Sequence, residues 1–229
     1  MNAIYRLSEY PACFNFIEFL VAACTLGATH VRLDNTKGVR SKYDAAETDK
    51  RMKSIVEPAC ALAGRGFSYG AGEGIDPGYH ISAALKAWKK AGRIERLRSV
   101  KPAASVPYTV TLRNSRRFPE RNSDQAAWRA FALAIGATVI EDYDDKPTDL
   151  HDRMALYAGA TMNYGVGNGP MALLWFSEYP FCTVMKNVRC EYLKRCGWPC
   201  GTNLPWQLPN QHFHWGTDDA ATLRSLPRA

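Results

Sequence analysis

No apolar run in this 229-residue chain approaches the roughly 20 residues that a membrane-spanning helix requires, so a membrane span is not expected. Residues 1–10 carry no basic region followed by an apolar core, which argues against a signal peptide and makes a cytoplasmic location the expectation. The seven cysteines include no Cys-x-x-Cys pair, and an odd number scattered along a chain of this size reads as reduced thiols rather than a disulfide framework. The glycines form neither a Gly-x-Gly-x-x-Gly turn nor a Walker loop. No stretch has the composition of a disordered segment, and 46% hydrophobic residues suffice for one generous core or two small ones.

Acidic residues are the other shortage: 22 against 29 lysines and arginines, a formal charge of +7 that favours anionic partners without choosing among nucleotide, nucleic acid and the general acidic contents of a cell. Strand and helix patterns alternate through the first third. Ala3–Leu7 reads as a strand, Phe14–Leu26 as a largely buried helix ending at Gly27, and His30–Leu33 as a strand closed by Asp34. A second helix is expected over Ala45–Leu62, bent or divided by Pro58, then a strand at Gly66–Tyr69. The Gly70–Gly74 stretch reads as a surface turn, and Ile81–Ile94 as a basic amphipathic helix whose charged face is expected to be merely solvated.

Between Leu97 and Pro107 the composition becomes that of a linker, which places a boundary between residues 1–104 and 105–229. Beyond it the alternation resumes. Strands are expected at Tyr108–Leu112, Thr138–Glu141, Thr161–Tyr164 and Phe181–Met185, with helices at Asp124–Ile135, Asp149–Tyr157 and Met171–Ser177. This pattern predicts an α/β protein of two small Rossmann-like lobes with parallel sheets, the second ending in an irregular aromatic tail. Ligands of such sheets lie outside the carboxyl ends of the strands.

Two anion devices fall at those ends. The first is the turn Gly165-Val166-Gly167-Asn168-Gly169-Pro170, where glycines permit positive φ or a close approach and Asn168 or Gly169 would cap a helix pointing free N–H groups at a phosphate. A plain strand-to-helix connection explains the turn equally well. The second is the group Arg113, Arg116, Arg117 and Arg121, since planar guanidinium groups grip phosphate oxygens in pairs. A solvated basic loop accounts for Arg117 and Arg121, but Arg113 comes directly off an apolar strand.

From Tyr108 to Lys186 this order, a strand with Arg-x-x-Arg-Arg, a helix with Trp128 and Phe131, a strand with an acidic end, a helix, then a strand running into Gly-x-x-Asn-Gly-Pro-Met, resembles the donor-binding half of GT-B glycosyltransferases of fucosyltransferase-like type. The chain lacks the family's histidine before the arginine motif and is shorter than most two-lobed transferases. The resemblance implies metal-independent transfer of a sugar from a nucleotide-diphosphate sugar, without a cofactor. Arg113 or Arg116, with Arg117 beside them, would hold the diphosphate together with Gly165, Gly167, Asn168, Gly169 and Met171. Glu141 or Asp142 would accept from the nucleoside.

A base near the acceptor hydroxyl would come from the first lobe, where Glu18 and Asp34 are the candidates and Glu9 a third, each with an ordinary structural role open to it. The acceptor could be a glycan, a small molecule or a modified nucleic acid; neither it nor the oligomeric state is legible. Two other functions fit the same residues: a DNA-binding or base-modifying protein, and a nucleotide-binding module without catalysis. In the tail, Cys190, Cys196, Cys200, His212 and His214 lack zinc-ligand spacing, so packing by Trp198, Trp206, Phe213 and Trp215 is preferred to a metal, with Asn203, Gln207 and Gln211 free to bond a sugar or a base.

Overall fold

A computed structural model of the chain describes residues 1–38, 44–116, 118–143 and 149–228. It is α/β and divides into two units, Met1–Ser99 with Asp149–His151, and Val100–Thr148 with Asp152–Ala229. Among the described residues no helix is long and apolar enough to cross a membrane.

The first unit is built on three parallel strands in the order β1 (Asn2–Arg6), β2 (His30–Asp34) and β3 (Gly66–Tyr69), with Ile75 bridging the free side of β1 at Ala3. Helix α1 (Asn15–Thr25) is apolar nearly all round, and residues Phe16–Thr25 are all buried, as expected for a helix enclosed on every side. The helix expected over Ala45–Leu62, bent or divided by Pro58, is three pieces: α2 (Ala45–Arg51), a π-helical turn (Met52–Val56) and α3 (Glu57–Leu62). Proline cannot donate to the carbonyl four residues back, and the wider turn just before it accommodates the lost bond without ending the helix. Helix α4 (Ile81–Ala91) stops at Gly92, whose φ of +69° is the left-handed cap that glycine accepts most readily. Its Ala83 and Ala87 pack on Ala22 of α1, small side chains that let the two helices lie close.

The second unit contains β4 (Val106–Asn114), α5 (Gln125–Ile135), β5 (Thr138–Tyr143), all but the first two residues of α6 (Leu150–Ala158), β6 (Ala160–Val166), α7 (Ala172–Trp175), β7 (Phe181–Met185), α8 (Cys190–Cys196), β8 (Gln211–Trp215) and α9 (Ala220–Ser225). Its five strands are all parallel, in the order β5-β4-β6-β7-β8. The tail expected to be irregular therefore supplies a fifth strand and two helices. Their pattern was hard to read because α8 and α9 have only seven and six residues, while β8 alternates His and aromatic side chains.

Side-chain alternation sorts the sheet into two faces. Val110 and Leu112 of β4, with Met162, Tyr164 and Val166 of β6, bury against Trp128 and Phe131 of α5, Leu223 of α9 and Leu226 at its end. Thr109, Thr111 and Arg113 point the other way. Thr109 donates to Asn163 Oδ1 at 2.6 Å, and Thr111 Oγ1 lies 3.0 Å from the Tyr157 hydroxyl of α6. Asn163 is fully buried, yet its amide donates to Tyr157 O and Pro180 O, so no polar atom is stranded there.

Candidate functional site

The strand order of the second unit reverses between β4 and β6, the two strands that carry the candidate anion-binding residues. Crevices at such reversals are the customary ligand sites of open α/β sheets. Register puts Arg113 beside Asp142 of β5, and Thr111 beside Gly165 of β6, so Arg113 and Gly167 stand at one level on the carboxyl edge.

The glycines meet different demands from those expected. Gly165, Gly167 and Gly169 are absent from the positive-φ residues. A Cβ on Gly165 would lie 3.1 Å from both Met171 Sδ and the Thr111 carbonyl oxygen, and one on Gly167 would lie 2.9 Å from Met185 Sδ. Close packing therefore favours glycine at both positions, more firmly at Gly165, where one neighbour is backbone, than at Gly167, where the methionine side chain could shift; Gly167 N is already bonded to Val184 O. Helix α7 is a single turn of four residues rather than the seven expected, too short to carry much dipole. Neither Asn168 nor Gly169 is its N-cap: that position is Met171, without a side-chain cap. Asn168 instead closes the turn before the helix, accepting from Met171 N at 3.0 Å, while its amide donates to Asp142 Oδ2 at 3.1 Å.

Arginines dominate this edge. Arg113 is 9% exposed; its N–H donates to Ser123 Oγ, and its carbonyl accepts from the Gln125 side chain. Arg121 Nη2 donates to Gly167 O at 2.9 Å, drawing the loop after β4 across the end of β6. Lys186 and Asn187 hold the same loop through Asn122 O and Glu120 O. Arg153, only 1% exposed, reaches Asp142 Oδ1 at 3.8 Å from α6. The sequence reading passed over Arg153, although a charge between Leu150 and Tyr157 on the apolar stripe of a helix was the available signal. Arg116 is exposed, and Arg117 lies outside the described residues.

The two acidic candidates separate by parity. Glu141 pairs with Arg129 of α5 at 2.7 Å in a half-exposed surface bridge, whereas Asp142 faces Arg153 and Asn168. Asp142-Tyr143-Asp144 has Asp-x-Asp spacing, with Asp144 outside the described residues. Among the described residues no cluster of three His, Cys, Asp or Glu side chains is placed to hold a metal ion.

In the first unit Glu18 is 8% exposed inside α1, with Oε2 buried and bonded to nothing described. Burial pushes its pKa to about 8. It is therefore protonated at neutral pH and suited to giving a proton rather than taking one. Asp34 sits at the end of β2, where Thr36 N and Oγ1 donate to Oδ1 and lower its pKa, making it a weak base with a turn-capping role. No sequence pattern pointed to the group at the carboxyl end of β1. There Cys13 Sγ lies 2.9 Å from the Tyr79 hydroxyl, the Asn15 amide meets His80 Nδ1, and Tyr10 stacks on Tyr79 at 5.2 Å. His80 has a φ of +77°, an uncommon conformation for a residue with a side chain.

The tail contacts also differ from expectation. Gln211 spends its amide on Ser177 O and Tyr179 O, and Gln207 spends its own on Gln211 O, so both serve the fold. Trp175, Trp198, Phe213 and Trp215 form edge-to-face pairs. Cys190 and Cys200 form a disulfide, correcting the expectation of reduced thiols throughout: α8 and the turn at Gly197 bring their Cα atoms to 5.4 Å, a nearness that sequence spacing does not reveal. Cys13, Cys24, Cys60, Cys182 and Cys196 are not disulfide-bonded.

No protein-family model, curated protein or solved structure matches the chain.

Proposed function

We propose that the second unit binds the diphosphate of a nucleotide sugar at the carboxyl edge between β4 and β6, and that the protein is a glycosyltransferase. The observation that supports this reading is the convergence of Arg113, Arg121 and Arg153, from a strand end, a loop and a helix, on the point where the strand order reverses. Guanidinium groups there would take the charge that grows on a departing diphosphate. Asp142, steadied by Asn168, would accept from a ribose hydroxyl or the base. The resemblance to GT-B donor lobes adds the sugar to what would otherwise be a nucleotide site.

Titration calorimetry of the full chain with UDP, GDP and ADP tests the binding step. Arg113→Ala is expected to weaken binding about ten- to a hundredfold, the loss of one charge-assisted contact, with little change in the far-ultraviolet spectrum. Unchanged affinity in a folded variant would remove Arg113 from the site. Donor hydrolysis assays address the transfer step. Because the arginines supply positive charge, turnover is expected to survive a chelator; loss restored by manganese would assign the acidic string a metal.

A further inference from the structure

The positive charge of the chain is concentrated in one short stretch of the first unit. Residues 86–98 hold six lysines and arginines against a single glutamate, a net +5 of the chain's +7. Lys86, Lys89 and Lys90 project from α4 at spacings of three and four, and Arg93 follows just past the Gly92 cap; all four are exposed. None of the ion pairs among the described residues involves Lys86, Lys89 or Lys90, while Arg93 meets Glu95 at 3.8 Å in an exposed pair that a phosphate could replace. Helix α4 contains no Asp or Glu, so no carboxylate on it offsets the repulsion between lysines three and four apart, although Lys89 and Lys90 in its last turn gain from the helix dipole. A merely solvated helix gains by interleaving carboxylates with lysines, which is what this face lacks.

Regular, uncompensated positive charge on a rigid helix complements a polymer of phosphates. From Lys86 to Lys90 the helix advances about 6 Å. Duplex DNA presents about three or four phosphates over that length. A basic helix that lies on a membrane must also offer an apolar face to the lipid. Here that face is already used: Ile81, Ala83, Ala84, Leu85 and Ala87 are buried, with Ala83 and Ala87 against Ala22 of α1. What remains outside is charge, with Trp88 half-buried beside it.

We propose that Lys86, Lys89, Lys90 and Arg93 form a sequence-independent contact surface for the phosphate backbone of a nucleic acid. This inference stands apart from the diphosphate reading, since it concerns other residues in the other unit and its test needs no turnover. Four phosphate contacts give a log–log dependence of affinity on salt with a slope of about −3.6, a loss of about a hundredfold between 50 and 200 mM salt.

The test is fluorescence anisotropy of a labelled DNA duplex, and of its separate strands, titrated with the full chain at several salt concentrations. Expected is a slope near that value for the wild type, reduced by about three when Lys86→Gln, Lys89→Gln and Lys90→Gln are combined. These exposed side chains bear little on folding, so the melting temperature of the triple variant should match the wild type. A triple variant that keeps the wild-type slope would overturn the proposal. So would a wild type that ignores DNA but sediments with phosphatidylserine vesicles, which would assign the surface to a membrane.

Discussion

Glu18→Gln is expected to stabilise the protein at pH 8 by about 1–3 kcal/mol net and to remove most of a steep pH dependence. The cause is a carboxyl whose pKa rises from an ordinary 4.5 to about 8 on burial without a hydrogen-bonding partner for Oε2. Below about pH 4.5 Glu18 is protonated whether the chain is folded or not, and its contribution to stability is fully present. As pH rises toward 8 the unfolded chain ionises while the folded one holds its proton, so stability falls by about 1.4 kcal/mol per unit, on the order of 4 kcal/mol across the window. Above about 8 both states are ionised and the loss levels off. Glutamine has no ionisation to forfeit, but its amide leaves an extra buried donor costing about 1–3 kcal/mol at every pH. Wild type should therefore match or exceed the variant near pH 4.5 and fall well below it near pH 8. Urea titrations of both proteins across that range provide the check, and parallel stability profiles would mean that Glu18 is solvated or paired in the folded chain.

The same residue marks how far sequence reasoning reached. Glu18 in the first turn of a helix reads as an ordinary favourable charge near the dipole. Only the packing of α1 inside its unit reveals that the carboxyl is largely buried, with no partner for Oε2, and this reverses the expected role from proton acceptor to proton donor. The parallel α/β architecture was legible because apolar strands and helical patterns alternate locally, and Phe181–Met185 was placed to the residue. The reversal between β4 and β6 was not, since strand order is a property of pairing between distant segments. Gly165 and Gly167 illustrate the ambiguity that remains within a motif. A glycine favoured because a Cβ would lie 3.1 Å from a neighbouring strand's carbonyl oxygen, as at Gly165, looks in sequence like a glycine required by a ligand. Arg113, by contrast, was singled out because a charge ending an apolar strand is costly unless it has work at the sheet edge.

Asp218→Ala is the substitution expected to damage the second unit most. Its carboxylate is buried and gathers three donors: Lys186 Nζ at 2.7 Å, Trp128 Nε1 at 2.9 Å and Asp124 N at 2.8 Å. These tie the end of β7 to the start of α5, and Lys186 passes the constraint to the arginine-bearing loop through Asn122 O at 2.9 Å. Removing the acceptor leaves a largely buried ammonium without its counter-charge and two N–H groups without a partner, a loss of about 3–5 kcal/mol. Lys186→Met should cost less, because the carboxylate would keep two N–H donors. In the double variant the ammonium is gone as well, so its loss should fall short of the two singles added, by roughly 1–3 kcal/mol. Guanidinium titrations of the four proteins measure that coupling. Salt should barely alter it, since a pair with side chains 4% and 20% exposed is poorly screened. A single Asp218→Ala loss below about 1 kcal/mol would be that of a surface pair, and the arginine loop would then need another anchor.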